Sequence, residues 1–164
     1  MGSVLADLLQ GKNAHTNSLH CVDVPAEVAG QLLLPLPHSI WQLVWHMDYW
    51  MAHELARIGG HPAPYPEHAA LSWPTAEPPS VDAWQDARSQ FRTLLEQLEA
   101  LTNGSAAERG RVLAADGPQA GSRDFTVEEV LWQTAVHNSH HLGQVVLVRR
   151  AIGAWPPKEG SDTW

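Results

Sequence analysis

Two histidines near the end of the chain, His137 and His141, have a spacing that suits a metal ion. Side chains four residues apart on an α-helix lie about 40° apart around its axis and one turn apart along it. Two imidazoles placed in this way can bind one ion, and imidazole is a good ligand for zinc, nickel, copper and iron. Whether the pair forms a site depends on the helix face that carries it.

The helix predicted around this pair runs from about Thr126 to Ile152. At 100° per residue, His137 and His141 fall within its apolar arc, whereas His140 lies off the arc and is expected at the surface or rim. The residues that cluster on that side of the helix are Val127, Val130, Leu131, Thr134, Val145, Val148 and Ile152. Burying two imidazoles costs free energy unless they are hydrogen-bonded or coordinated. A metal site is therefore favoured over a pair of hydrogen-bonded core histidines.

Three further helices are predicted from apolar periodicity and capping residues, and no strand is predicted. They span about residues 3–22, 39–58 and 80–101, and long loops cover residues 59–79 and 102–125. A chain of 164 residues is long enough for one sizeable core. The prediction is a single all-α domain over residues 1–164, built as a four-helix bundle.

A third metal ligand should come from another helix that faces the core. The 39–58 helix carries a polar strip beside its apolar stripe, formed by Gln42, His46, His53 and Arg57. This strip is either the solvent face of the helix or the lining of a polar cavity, and the pattern leaves both open. His46 borders the stripe and is the better placed histidine. His53 lies roughly 10 Å further along the axis, too far to share one ion with His46.

Composition excludes several classes of protein. The net charge of -8 argues against a nucleic-acid or anionic-membrane surface, because phosphate binding needs clustered Lys and Arg. Cys21 is the only cysteine, which fits a reducing compartment. The first residues lack a secretion signal, and no apolar stretch reaches the length of a membrane span. A cytoplasmic, soluble protein is expected.

Two segments together resemble the DinB/YfiT superfamily of metal-dependent, damage-inducible DinB-type proteins. They are Pro37-His38-Ser39-Ile40-Trp41-Gln42-Leu43-Val44-Trp45-His46-Met47 and His137-Asn138-Ser139-His140-His141-Leu142-Gly143-Gln144. The likeness also takes in Leu71-Ser72-Trp73-Pro74 and covers most of the chain.

The resemblance implies a four-helix bundle with an up-down-down-up course. It further implies one divalent metal ion, zinc or nickel above all, bound by a histidine of the second helix and two of the last helix. Those positions are His46, His137 and His141 in this chain. Members are often homodimers, so exposed Trp residues of the second helix are candidates for an interface.

Three neutral imidazoles leave a divalent metal with an open position. That position can hold a water made acidic enough to attack a carbonyl, or a thiolate presented for transfer. The family includes both hydrolases and S-transferases that use low-molecular-weight thiols, so a small-molecule substrate is expected. Glu54, His53 and Asn138 are candidate general bases, Trp50 a candidate cavity wall, and the 59–79 loop a candidate lid.

Two other interpretations remain open. One is a stress-response bundle that binds metal without catalysis. The other is a structural helical dimer whose core histidines are simply hydrogen-bonded, which predicts no effect of metal on thermal stability.

Overall fold

The chain folds mainly into α-helices, which confirms the predicted all-α class. A computed structural model describes residues 3–12, 14–77, 79–114, 116–117 and 123–159. The helices are α1 (Val4–Leu9), α2 (Ser18–Cys21), α3 (Ala26–Ala29), α4 (Ile40–Ile58), α5 (Val81–Thr102), α6 (Ala106–Arg109) and α7 (Val127–Ala151). A 3-10 turn covers Ala69–Ser72, and two short strands are β1 (Val112–Leu113) and β2 (Phe125–Thr126).

The three long helices begin at the capping residues expected from the sequence. The side chains of Ser39, Ser80 and Thr126 accept hydrogen bonds from backbone N–H groups in the first turns of α4, α5 and α7. Ser39 and Thr126 form reciprocal capping boxes with Gln42 and Glu129. These bonds pair N–H groups that have no partner inside the helix.

The predicted continuous helix over residues 3–22 is wrong. α1 ends at Leu9 and α2 begins only at Ser18. Gly11 between them has a φ of +77°, a conformation that residues with a side chain rarely adopt, and the α-helix does not continue through it. The Ser18 hydroxyl then donates a hydrogen bond to the carbonyl of Leu9. The apolar spacing continues through the break, so periodicity alone predicted one helix.

The prediction that the chain has no strand is also wrong, because two short strands form an antiparallel ladder. β1 and β2 pair antiparallel, with Val112 opposite Thr126 and Leu113 opposite Phe125. Strands of two residues are too short to show an alternation of polar and apolar side chains. The ladder joins the middle of the long 102–125 loop to the residues that lead into α7.

Contacts between the long helices establish their directions. Trp41 near the start of α4 packs edge-on against Trp84 near the start of α5, and the two helices pack along each other from there, so they run parallel. His46 in the first half of α4 lies beside His141 in the second half of α7. Arg57 at the end of α4 lies over the ring of Phe125, which precedes α7, so α4 and α7 are antiparallel.

The segment formed by α1 and α2 runs parallel to α7. Val4 lines a small cavity together with Trp132, whereas Cys21 lines another cavity with Val146, further along α7. With α4 and α5 running the opposite way, the course is up-down-down-up, as the resemblance implied.

The core lies between these four helical layers. Its largest fully buried side chains include Leu9, Met47, Met51, Trp84, Phe91, Leu98, Val130 and Leu131. Within the described part of the chain, no helix is both long enough and apolar enough to cross a membrane.

Candidate metal centre

Three imidazoles from two helices converge inside the bundle. The Nε2 atom of His137 lies 3.3 Å from Nε2 of His46 and 3.1 Å from Nε2 of His141. Each histidine offers one ring nitrogen as a ligand atom, and these three nitrogens all lie within 4.8 Å of one another. The i, i+4 pair on α7 and the single histidine on α4 therefore face the same point.

The donor set and its spacing fit a divalent metal ion. Zinc–nitrogen bonds of about 2.0–2.1 Å in tetrahedral geometry place two ligand nitrogens roughly 3.3 Å apart. The two Nε2 separations given above are close to that value. Three neutral nitrogen ligands also suit nickel, copper and iron, so the geometry does not choose among these metals.

In two of the three imidazoles, a hydrogen bond holds the N–H proton on Nδ1, the ring nitrogen that faces away from the point where the three side chains meet. Nδ1 of His46 donates to the backbone carbonyl of Ser72 over 2.8 Å. Nδ1 of His141 donates to Oε1 of Gln144 over 2.8 Å. A neutral ring that carries its proton on Nδ1 has its lone pair on Nε2, the atom that faces the centre. Both rings are thus oriented and protonated as metal ligands require.

The loop between α4 and α5 holds His46 in place. Trp73 stacks on the His46 ring with 3.8 Å between the ring centroids and an angle of 8° between the planes. His38, which precedes α4, stacks with Trp73 at the same separation. The carbonyl of Ser72 is the hydrogen-bond acceptor for His46. The region predicted as a lid therefore positions a metal-ligand candidate.

Burial keeps the three imidazoles neutral. It lowers the pKa of His46 to about 4 and that of His137 to about 4, and the neighbouring imidazoles reinforce both shifts. It also lowers the pKa of His141. At neutral pH all three rings therefore have a lone pair available for a metal ion.

The other candidate ligands lie outside this cluster. His140 is exposed, as its helical phase predicted. Nε2 of His53 instead pairs with Oδ2 of Asp116 at 2.6 Å. All four members of the polar strip on α4, including Gln42 and Arg57, are buried. The strip is therefore an interior surface, and its interpretation as the solvent face is wrong.

A cavity of about 350 Å³ adjoins the three-histidine cluster. Its lining consists of Trp50, Glu54, Arg57, Tyr65, Asp116, Phe125, Gln133, Thr134 and His137. Aromatic rings form part of the wall, and charged groups form another part. Ligand pockets in proteins combine these two kinds of surface in this size range.

Hydrogen bonds connect the charged wall of this cavity to the 102–125 loop. Arg57 donates to the carbonyl of Ala114 through Nε and Nη2, over 3.1 and 2.7 Å, and through Nη1 to Oε2 of Glu54, over 3.2 Å. Burial raises the pKa of Glu54, although Arg57 and His53 oppose the shift. A carboxylate with a raised pKa in a cavity is a candidate proton acceptor.

The structure separates the candidate bases suggested by the sequence. Glu54 lines the cavity, whereas His53 is bound to Asp116 and is not part of this wall. Asn138 points into the core, where Nδ2 contacts the sulfur of Met51 at 3.2 Å. Trp50 lines the cavity, as proposed from its position.

Several residues of the site were not found from the sequence. Asp116 and Tyr65 lie in loops with no periodic pattern, so only the folded chain brings them to the cavity. The contact of Gln144 with His141 could have been predicted from the sequence, because Gln144 lies three residues after His141 on the same helix.

Comparisons with known proteins support one assignment. Neither the curated proteins nor the solved structures gave a match to the chain. The model of the DinB superfamily matches residues 15–145, which include α4, α5, most of α7 and all three converging histidines. The chain belongs to the DinB superfamily.

Proposed function

We propose that this protein is a metal-dependent enzyme that acts on a small molecule. His46, His137 and His141 are the ligands of one divalent ion in this proposal, zinc or nickel by preference. The observation that carries it is the convergence of three Nε2 atoms beside a cavity with a polar wall. A buried three-histidine cluster without an adjoining cavity would support a structural ion instead.

A metal held by three neutral imidazoles supplies Lewis acidity at an open position. The protein supplies the rest of the site. Trp50 and Tyr65 form an apolar wall, and Arg57 holds the Glu54 carboxylate in the cavity. Glu54 accepts a proton from the attacking group, which is water in a hydrolase and a low-molecular-weight thiol in an S-transferase.

A cobalt-substituted protein separates these two reactions. Cobalt bound to the three histidines gives a visible spectrum, which is then titrated with thiols such as cysteine and glutathione. A new thiolate-to-metal charge-transfer band supports thiol transfer. Turnover of ester or amide substrates without such a band supports hydrolysis.

Glu54→Gln tests the part played by the carboxylate. It should lower turnover by about a hundredfold, the usual size of a general-base contribution, while metal content stays unchanged. The exposed Glu96→Gln on α5 is the matched control. Silence of the metal-loaded protein across ester, amide and thiol-conjugation substrates would favour the non-catalytic, metal-binding stress-response protein.

We also propose that the protein forms a homodimer through α7. Trp41 and Trp45 of α4 are partly buried, so they are weaker candidates for an interface than the sequence suggested. Trp132, Val136 and Leu147 are exposed and share one face of α7. Sedimentation of Val136→Glu against wild type tests this, and an unchanged mass would contradict it.

A further inference from the structure

A second cavity, of about 550 Å³, lies between α4 and α5. Its lining residues are Trp41, Trp45, Asp48, Tyr49, Ala52, His53, Ala63, Ala83, Asp86, Ala87 and Gln90. Asp48 and His46 are two residues apart on α4, which separates them by about 200° around the helix axis. Five of the six lining residues on α4 lie about 60–160° around the axis from His46, and His53 lies about 20° from it, so the cavity opens beside the face that carries the three-histidine cluster.

Asp48 is a buried carboxyl group without a partner. The residue is 4% exposed, and its Oδ1 atom has no hydrogen bond among the described residues. Buried polar atoms are nearly always paired, because an unpaired one costs free energy. An unpaired carboxyl oxygen at the wall of a cavity indicates that a positively charged group from outside the chain lies beside it.

The cavity has an aromatic wall beside this carboxylate. Trp41, Trp45 and Tyr49 succeed one another at intervals of four residues, so their rings share one face of α4. The rings of Trp45 and Tyr49 are stacked, with centroids 5.7 Å apart. Faces of indole and phenol rings attract cations, and desolvation strengthens that attraction.

The charges around the cavity also favour a cation. Asp86 on α5 adds a second carboxylate to the lining, and none of the described lining side chains is a lysine or arginine. His53 is the remaining titratable group in the lining besides Tyr49, and it is paired with Asp116. A neutral apolar ligand would leave Asp48 unpaired. Burial raises the pKa of the Asp48 carboxyl group to about 8, and a cation bound beside it would favour the ionised form, whereas an anion would favour the protonated form.

We propose that the cavity between α4 and α5 binds a small organic ammonium ion, with Asp48 as its counter-ion and Trp41, Trp45 and Tyr49 around its alkyl groups. The cavity volume falls within the range of small-molecule sites. This site is separate from the three-histidine cluster, and it stands whether or not the proposed enzymatic function is correct.

Titration of the full-length, metal-loaded protein with choline tests the proposal. Binding is followed by calorimetry and by quenching of tryptophan fluorescence. The uncharged analogue 3,3-dimethylbutan-1-ol has nearly the same shape, so it isolates the contribution of the charge. Saturable binding of choline, at least about tenfold tighter than the analogue, is expected.

Two variants locate the site. Asp48→Asn removes the counter-ion and should weaken choline binding at least about tenfold, while Trp45→Leu removes an aromatic face and should weaken it severalfold. Asp82→Asn is the matched control, because Asp82 is an exposed residue of α5 outside the cavity. Thermal melting and metal content show whether each variant is folded.

Three results would overturn the proposal. The first is no saturable choline binding to the wild type at millimolar concentration, and the second is equal affinity for the uncharged analogue. The third is a loss of self-association in Trp45→Leu with choline affinity unchanged, which would assign this surface to a second copy of the chain. The first two need no variant, so they hold even if a variant fails to fold.

Discussion

The orientation of two of the three candidate metal ligands depends on one neighbouring group each. The Ser72 carbonyl and the Gln144 amide oxygen accept the Nδ1 protons of His46 and His141, which leaves the Nε2 lone pairs directed at the same point. Such partners orient a ligand ring and raise its basicity. His140, one residue from His141, is exposed, and its Nε2 atom lies 3.4 Å from Nε2 of Gln144 instead of facing the other two histidines.

Replacing Gln144 tests this positioning role. Gln144→Leu keeps the volume of the side chain but removes the acceptor, so zinc affinity should fall about 10- to 100-fold. Competition with a chromophoric chelator measures it. Gln85→Leu, at an exposed position of α5, should leave the affinity unchanged. Equal affinity of Gln144→Leu and wild type would show that the hydrogen bond to His141 does not support metal binding.

At the scale of helices, local signals predicted the long elements well and the connections poorly. Capping residues and apolar periodicity located α4, α5 and α7 because those signals lie within the helices themselves. The break after α1 was missed because it depends on the backbone conformation of Gly11.

The residues of the candidate site also fall into those that the sequence predicted and those that it did not. Helical phase placed His137 and His141 on the inner face of α7, and the family resemblance chose His46. The places of Ser72, Trp73 and Asp116 depend on how two long loops pack on the bundle. Contacts of that kind have no local pattern in the sequence, so they could not be predicted from it.

Two glycines on different elements should respond to alanine with opposite signs. At Gly11 a Cβ atom would lie 2.5 Å from the His15 ring in a left-handed conformation, so Gly11→Ala should destabilise the fold by about 1–3 kcal/mol. At Gly143, inside α7, a Cβ atom meets nothing within 4 Å. Gly143→Ala should stabilise by about 0.5–1 kcal/mol. Urea unfolding of the metal-free protein measures both changes, and shifts of the same sign would contradict the account.

At the scale of the whole molecule, the burial of the histidines makes the stability of the bundle depend on pH. Burial places the folded-state pKa of His46 and His137 at about 4, below the ordinary value of 6.5. Between these values the unfolded chain binds more protons than the folded one. The contribution of these groups to stability is therefore complete above pH 6.5 and is lost as the pH falls towards 4.

The metal-free protein should show this dependence directly. Its free energy of unfolding should fall by about 1 kcal/mol per pH unit for each of these histidines between pH 6 and pH 4.5. His137→Ala should flatten the curve relative to wild type. Urea unfolding at a series of pH values measures the slopes. Parallel curves for wild type and His137→Ala would show that His137 titrates alike in the folded and unfolded states.

The central claim is that three histidines form one metal site, and zinc stoichiometry tests it most directly. Wild type and His140→Ala, loaded with zinc and dialysed, should each retain about one ion per chain. His46→Ala, His137→Ala and His141→Ala should each retain far less, because two imidazoles rarely hold an ion. A wild-type protein that retains no zinc, or nickel when that ion is used instead, would contradict the claim. So would a loss in His140→Ala as large as that in His137→Ala.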